Sequence, residues 1–192
     1  RREGWFSLSS TNYLVTWCQQ MDSPDKPHAG DWFEDGVFTH RPMTRFQFPQ
    51  AQSSLLEAVQ SHLFPDDGNG PCARDLNALA YLELAMDDPV NAKDDDPDFL
   101  LRGCKWLDEQ AQKQHVLAFV DLERDAQQAV MEQIARLKFG RNWLSLLMYY
   151  LTEALMLDPV YGGNPDMVGW LWLEHRPGFP RPLAGKTHRE FE

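Results

Sequence analysis

The chain of 192 residues has no run of 18 or more uncharged apolar residues. Its nearest candidate, Trp143 to Leu157, is too short and carries Glu153, so it fails the length criterion for a membrane span. Basic residues are scarce: 18 Lys and Arg stand against 29 Asp and Glu, a formal net charge of −11. That balance argues against binding nucleic acid through its phosphates and against docking on anionic lipid, since both need clustered cations. Cysteine is limited to Cys18, Cys72 and Cys104. They lie far apart, so there is no CxxC or CxxCH, which removes the zinc ribbon, the thioredoxin-type redox pair and covalent haem attachment. Two readings stay open for them. Cys72 and Cys104 form one bridge, or all three stay reduced and pack as small apolar side chains.

The local signatures of catalysis are also missing. His28, His40, His62, His115, His175 and His188 form no HxxxH, HExxH or HxH, and none has a Cys at ligand spacing. GxGxxG, GxxxxGKS/T and GxSxG are absent, so no sequence-local phosphate cradle or nucleophile elbow exists. No catalytic, cofactor-binding or metal-binding residues are assigned to this chain. Glu153 is the one acid inside an apolar helix. It is either a buried functional acid or a residue on a wet stripe, or paired with an Arg.

What the chain has is helix pattern and aromatic mass. Hydrophobic residues make up 43% and include seven Trp, enough for a core and for large contact areas. Residues 1–45 read as an extended N-terminal segment, broken by Pro24 and Pro27. Arg1-Arg2 reads either as a twin-arginine export signal or as a basic start to a surface segment, because the apolar stretch after it, Tyr13 to Cys18, is short. Residues 31–50 mix aromatics with Gly and Pro and read as an extended segment or a short hairpin laid on the helical body. From about residue 50 the period becomes helical. Ala51, Leu55, Val59 and Leu63 recur every four residues until Pro65. A second helix is expected to open at Pro71 and run past Leu76, Leu79, Leu82 and Leu84 to a stop at Asp87-Asp88-Pro89. A third starts at Asp94-Asp95-Asp96-Pro97 and turns Leu100, Cys104, Leu107 and Ala111 inward. A fourth covers about 122–138 with Leu122, Ala126, Val130, Ile134 and Leu137 inward, capped by Gly140. A fifth, about 142–157, is apolar nearly all round, and is therefore central in a bundle or covered by another chain. The expected fold is all-α: a bundle of about five helices over 46–192, with a Pro-rich C-terminal arm over about 158–192.

Asp158 to Pro180 is the candidate interaction segment. Pro159 biases Asp158 away from helical angles. Gly162 and Gly163 allow conformations and close backbone approaches that a β-carbon would forbid. Asp158 and Asn164 are suited to hydrogen-bonding local amides. Tyr161, Gly169-Trp170 and Pro177-Gly178-Phe179-Pro180 then offer rigid apolar area for a partner. The competing reading folds this loop back to cap the bundle.

Several of these segments match a family in order. Leu55-Leu56-Glu57-Ala58-Val59 up to Leu63-Phe64-Pro65-Asp66-Asp67 comes first, then Gly70-Pro71-Cys72-Ala73 and Gly103-Cys104-Lys105-Trp106-Leu107-Asp108. Asp158-Pro159-Val160-Tyr161-Gly162-Gly163-Asn164, with Val168-Gly169-Trp170 and Pro177-Gly178-Phe179-Pro180, is the most specific. The chain resembles the gluconate 2-dehydrogenase subunit 3 family, the small gamma-type subunit of membrane-associated flavin dehydrogenases, over about residues 45–182. The resemblance implies an accessory chain with no cofactor of its own. Its partner would be a large FAD-dependent catalytic subunit of the glucose–methanol–choline type that oxidises a sugar or sugar acid. A multihaem cytochrome c, carrying haem c, often completes such assemblies. The resemblance also implies help with folding of the large chain and its twin-arginine export to the bacterial periplasm. The chain departs from the family's pattern in lacking the Leu-rich loop after the Pro-Gly-Phe-Pro segment.

Overall fold

The computed structural model describes residues 46–178 and 181–183. The N-terminal segment 1–45, with Arg1, Arg2 and Cys18, lies outside the described residues, as do Phe179, Pro180 and the tail from 184.

Residues 46–49 are extended and lead into helix α1, Gln50–Leu63. They are pinned at both ends. The Phe46 amide donates to Asp87 Oδ1 at 2.7 Å and the Phe48 amide to Glu83 Oε1 at 3.3 Å. Helix α1 buries Leu55, Leu56 and Val59 as the four-residue spacing requires. Leu56 and Val59 are fully enclosed, which favours the folded state by about 2 kcal/mol each. The helix stops at Phe64, whose φ of −138° and ψ of 77° leave the helical region that Pro65 disfavours in its predecessor.

Helix α2, Ala78–Met86, starts later than the sequence predicts. Residues 73–77 form turns, and Asn77 sits in the left-handed region at φ 55°, so Pro71 is not a first helical residue. The stop at Asp87-Asp88-Pro89 is also a start. Asp88 Oδ1 accepts the Val90 amide at 2.8 Å, Pro89 takes the first helical position, and the short helix α3 runs Pro89–Lys93. Helix α4, Asp96–His115, opens with Asp96 and Asp98 in its first turn and Pro97 beside them, as read. It buries Leu100, Cys104, Leu107 and Ala111.

Helix α5 is Arg124–Ala135 and helix α6 is Lys138–Met156. The boundary between them differs from the expectation in two residues. Leu137 faces solvent, because it is the extended residue preceding α6 and not part of α5. Gly140 caps nothing; it is buried in the first turn of α6, where a Cβ would overlap the Ile134 carbonyl. Glycine is needed there for close packing. Helix α6 is the central element and packs on α1, α2, α4 and α5. Its Trp143 is buried with Nε1 donating to Leu100 O at 3.2 Å, over a gap left by Gly103 on α4. Tyr150 donates to Asp96 Oδ2 at 2.8 Å. Burial, with the Asp96 carboxylate beside it, holds the Tyr150 phenol well above its ordinary range. Helix α7, Val168–Trp172, packs on α6. The described residues thus form an all-α fold of seven helices with no sheet. Cys72 and Cys104 are free thiols, and Cys104 is buried on the core face of α4. No helix among the described residues is long and apolar enough to cross a membrane.

Candidate functional site

Any α-helix ends with carbonyls that have no intrahelical donor. Helix α6 ends inside the protein, so its last carbonyls need partners from elsewhere. The chain from Leu157 to Trp170 supplies them. Trp170 Nε1 donates to Met156 O at 2.7 Å, and Asn164 Nδ2 donates to Leu157 O at 3.2 Å. Asn164 is fully buried and is held from the other side, where its Oδ1 accepts the Gly169 amide at 2.7 Å. Its own amide donates to Leu76 O at 3.2 Å, and Asn77 Nδ2 donates to Gly162 O at 3.0 Å. The loop is therefore tied to the turn before α2 as well as to α6.

The two glycines have distinct tasks. Gly162 takes φ 89°, closing the 3-10 turn Pro159–Tyr161. Gly163 lies against the backbone of α6: a Cβ there would sit 2.8 Å from Ala154 Cα. Gly169 is equally confined, since a Cβ would overlap Leu155 O. Asn164, Asp166 and Met167 all have positive φ, a concentration of backbone strain of about 1–2 kcal/mol per residue that the surrounding hydrogen bonds hold in place.

Asp158 has the extended angles that Pro159 imposes, φ −61° and ψ 137°. Its Oδ1 accepts the Val160 amide at 3.0 Å. Arg181 returns from the C-terminal arm and grips the same carboxylate, Nε to Oδ2 at 2.8 Å and Nη2 to Oδ1 at 3.3 Å. This forked pair is largely shielded from water, and the guanidinium carbon lies 5.4 Å from the Trp170 ring centroid. His175 packs on the other contact of Trp170, ring centroids 5.6 Å apart, and burial pushes its pKa below the ordinary imidazole value.

The structure thus brings together Asp158, Pro159, Tyr161, Gly162, Gly163, Asn164, Gly169 and Trp170 at one end of α6. Trp170 is 3% exposed and faces the chain's own interior, so it offers no outward area. Tyr161 is half-buried and packs against the core. Pro177 is buried and Gly178 half-buried. Sequence reasoning missed Asn77 and Arg181. Only the Pro-rich context of Arg181 pointed to an arm, and nothing in it named Asp158 as its anchor. It also missed the pairing of Glu153, which accepts from Tyr81 Oη at 2.9 Å. Among the described residues no three His, Cys, Asp or Glu side chains are grouped to hold a metal ion.

A family model, gluconate 2-dehydrogenase subunit 3, matches residues 50–178, from the first residue of α1 to Gly178 in the C-terminal arm. The chain belongs to the gluconate 2-dehydrogenase subunit 3 family. Curated proteins and solved structures give no match. Membership makes the chain an accessory subunit of a multi-subunit dehydrogenase. The family match includes the whole closure of α6 except Arg181.

Proposed function

We propose that this chain is the non-catalytic small subunit of an FAD-dependent sugar or sugar-acid dehydrogenase. The large partner, of the glucose–methanol–choline type, holds the FAD and performs the oxidation, and a cytochrome c subunit carrying haem c completes the assembly. The small subunit supports folding and stability of the large one and accompanies it through twin-arginine export to the periplasm, where other subunits attach the complex to the membrane. The family match over residues 50–178 carries this reading. It is supported by where the chain's enclosed polar groups are used. The buried Asp96, Asp158 and Asn164 and the half-buried Glu153 all hold helices or loops of this chain together.

The test is purification of the native assembly through a tag on this chain. A larger chain with flavin absorbance should co-elute and reduce a dye when a sugar or sugar acid is added, and the small chain alone should show no flavin band. Recovery of the small chain with a partner that is not a flavoprotein would overturn the reading. Arg1→Lys with Arg2→Lys should leave the complex in the cytoplasm if the pair directs export.

A further inference from the structure

The segment that closes α6 leaves an apolar strip outside. Leu171, Trp172 and Leu173 are consecutive and are 54%, 45% and 42% exposed. Trp172 is nevertheless fixed. Its Nε1 donates to Asn69 O at 2.8 Å, its ring meets Phe64 edge-on at 6.1 Å, and Gly70 lies so close that a Cβ would overlap the indole. A large aromatic held rigid and half in water loses little entropy when a partner covers it, which is the property of an interface anchor.

The margin of the strip is mostly acidic, with Asp66, Asp67 and Glu174 against the exposed Arg176. Asp67 Oδ1 accepts the Asn69 amide at 2.9 Å, so its carboxylate stays beside the residue that anchors Trp172. The Asn69 hydrogen bond holds Asp67 below the usual carboxylate range. Asp66 precedes it, with Oδ1 accepting the Gly68 amide at 3.3 Å, and the exposed Glu174 follows Leu173 at φ 51°. We infer that Leu171, Trp172 and Leu173, bordered by Asp66, Asp67 and Glu174, form the surface on which the large subunit docks, and that the large subunit presents there an apolar patch rimmed by Lys or Arg. This rests on the small-subunit reading given above and names the surface that reading requires.

Charge selects the occupant. A second copy seated on the same strip by two-fold symmetry would set acid against acid. An anionic lipid surface would repel the same carboxylates, in a chain already at −11. A cationic rim complements them and speeds encounter. A second exposed apolar cluster among the described residues, Val116, Leu117 and Val120, has one Lys, Lys113, beside one Asp, Asp121, so neither sign is in excess to select a partner.

The experiment uses the complex captured by the tagged chain. Leu171→Glu and Leu173→Glu should each lower recovery of the flavoprotein at least ten-fold, while Leu117→Glu leaves it unchanged. Circular dichroism of each variant checks that helix content is kept. Asp66→Asn with Asp67→Asn keeps both turn hydrogen bonds and removes the charges, so association should slow several-fold and lose most of its salt dependence. Amide exchange at 66–70 and 171–174 should slow in the complex relative to the free chain. If wild type captures a flavoprotein and the Leu171 and Leu173 variants capture it equally well, this surface is wrong and the small-subunit reading stands. If wild type captures no flavoprotein, both fail. Loss in those variants of a homodimer or of vesicle binding, with flavoprotein capture intact, would assign the strip to a second copy or to lipid and overturn the proposal.

Discussion

Replacing Asn164 tests whether the loop from Asp158 to Trp170 is a structural closure of α6. The side chain makes two hydrogen bonds, a part-buried one to Leu157 O at 3.2 Å and a buried one from the Gly169 amide at 2.7 Å. In Asn164→Ala both groups lose the partner that a fully buried side chain supplied. Each orphaned group costs about 1–3 kcal/mol. Alanine also tolerates the φ of 50° less well than asparagine does, by about 1 kcal/mol. The expected loss is about 4 kcal/mol, a large part of the ~5–15 kcal/mol that holds a typical domain folded. At a urea slope near 2.5 kcal/mol/M this moves the midpoint down by roughly 1.5 M. Asn164→Gly separates the two contributions. It loses the same hydrogen bonds but relieves the backbone, so it should be more stable than Asn164→Ala by about 0.5–1 kcal/mol, although glycine normally costs that much in a folded segment. Urea titrations followed by far-UV circular dichroism read all three chains. An alanine variant within about 0.5 kcal/mol of wild type, or one more stable than the glycine variant, would refute the closure.

Three further outcomes follow from individual contacts. Gly169→Ala should destabilise by about 2–3 kcal/mol, because its Cβ meets backbone, the Leu155 carbonyl, which cannot rotate away; a thermal melt within a degree of wild type would contradict this. Val116 follows α4 in the left-handed region at φ 60° and is 88% exposed, so Val116→Gly should raise stability by about 1 kcal/mol, read from the same denaturant titration. Burial pushes the Cys104 thiol from 9.0 up to about 12, so a thiol reagent at neutral pH should label Cys72 in the native chain and Cys104 only after unfolding. The unfolded thiol gives up its proton first, so the stability Cys104 contributes is complete below pH 9 and is lost as pH rises toward 12; a Cys104→Ala chain with the same alkaline profile as wild type would show the thiol is not responsible.

Helix existence and inward faces were legible because burial imposes a period that residue order must carry. Leu55, Leu56 and Val59 on α1, and Leu100, Cys104, Leu107 and Ala111 on α4, are buried as the spacing reads. Boundaries were less legible because Gly and Pro are ambiguous. Gly140 has the composition of a helix cap, yet its role is set by the Ile134 carbonyl pressing on it, a contact made only when α5 and α6 are assembled. Pro89 does end α2, but with Asp88 before it the same residue begins α3. Pro71 has the right chemistry for a first helical residue, and Asn77 in the left-handed region defers the helix past it.

The loop from Asp158 shows why an aromatic motif is hard to assign to a surface or to a core. Local chemistry was readable: Pro159 fixed Asp158, Gly162 took positive φ, and Asn164 bonded nearby amides. Trp170 was ambiguous because its indole suits an interface and equally suits the carbonyl of a helix that ends inside the protein. Met156 O decides the matter, and its position depends on where α6 stops. Once Trp170 is turned inward, the register of the short helix α7 leaves Leu171, Trp172 and Leu173 outside. The inward residue and the outward strip are therefore one device. The hydrogen bond that closes α6 also sets the orientation of Trp172, whose indole then reaches Asn69 across the loop after α1. A substitution that loosens Trp170 should thus weaken partner binding without touching the partner, which distinguishes a positioning residue from a contact residue when both are changed in turn.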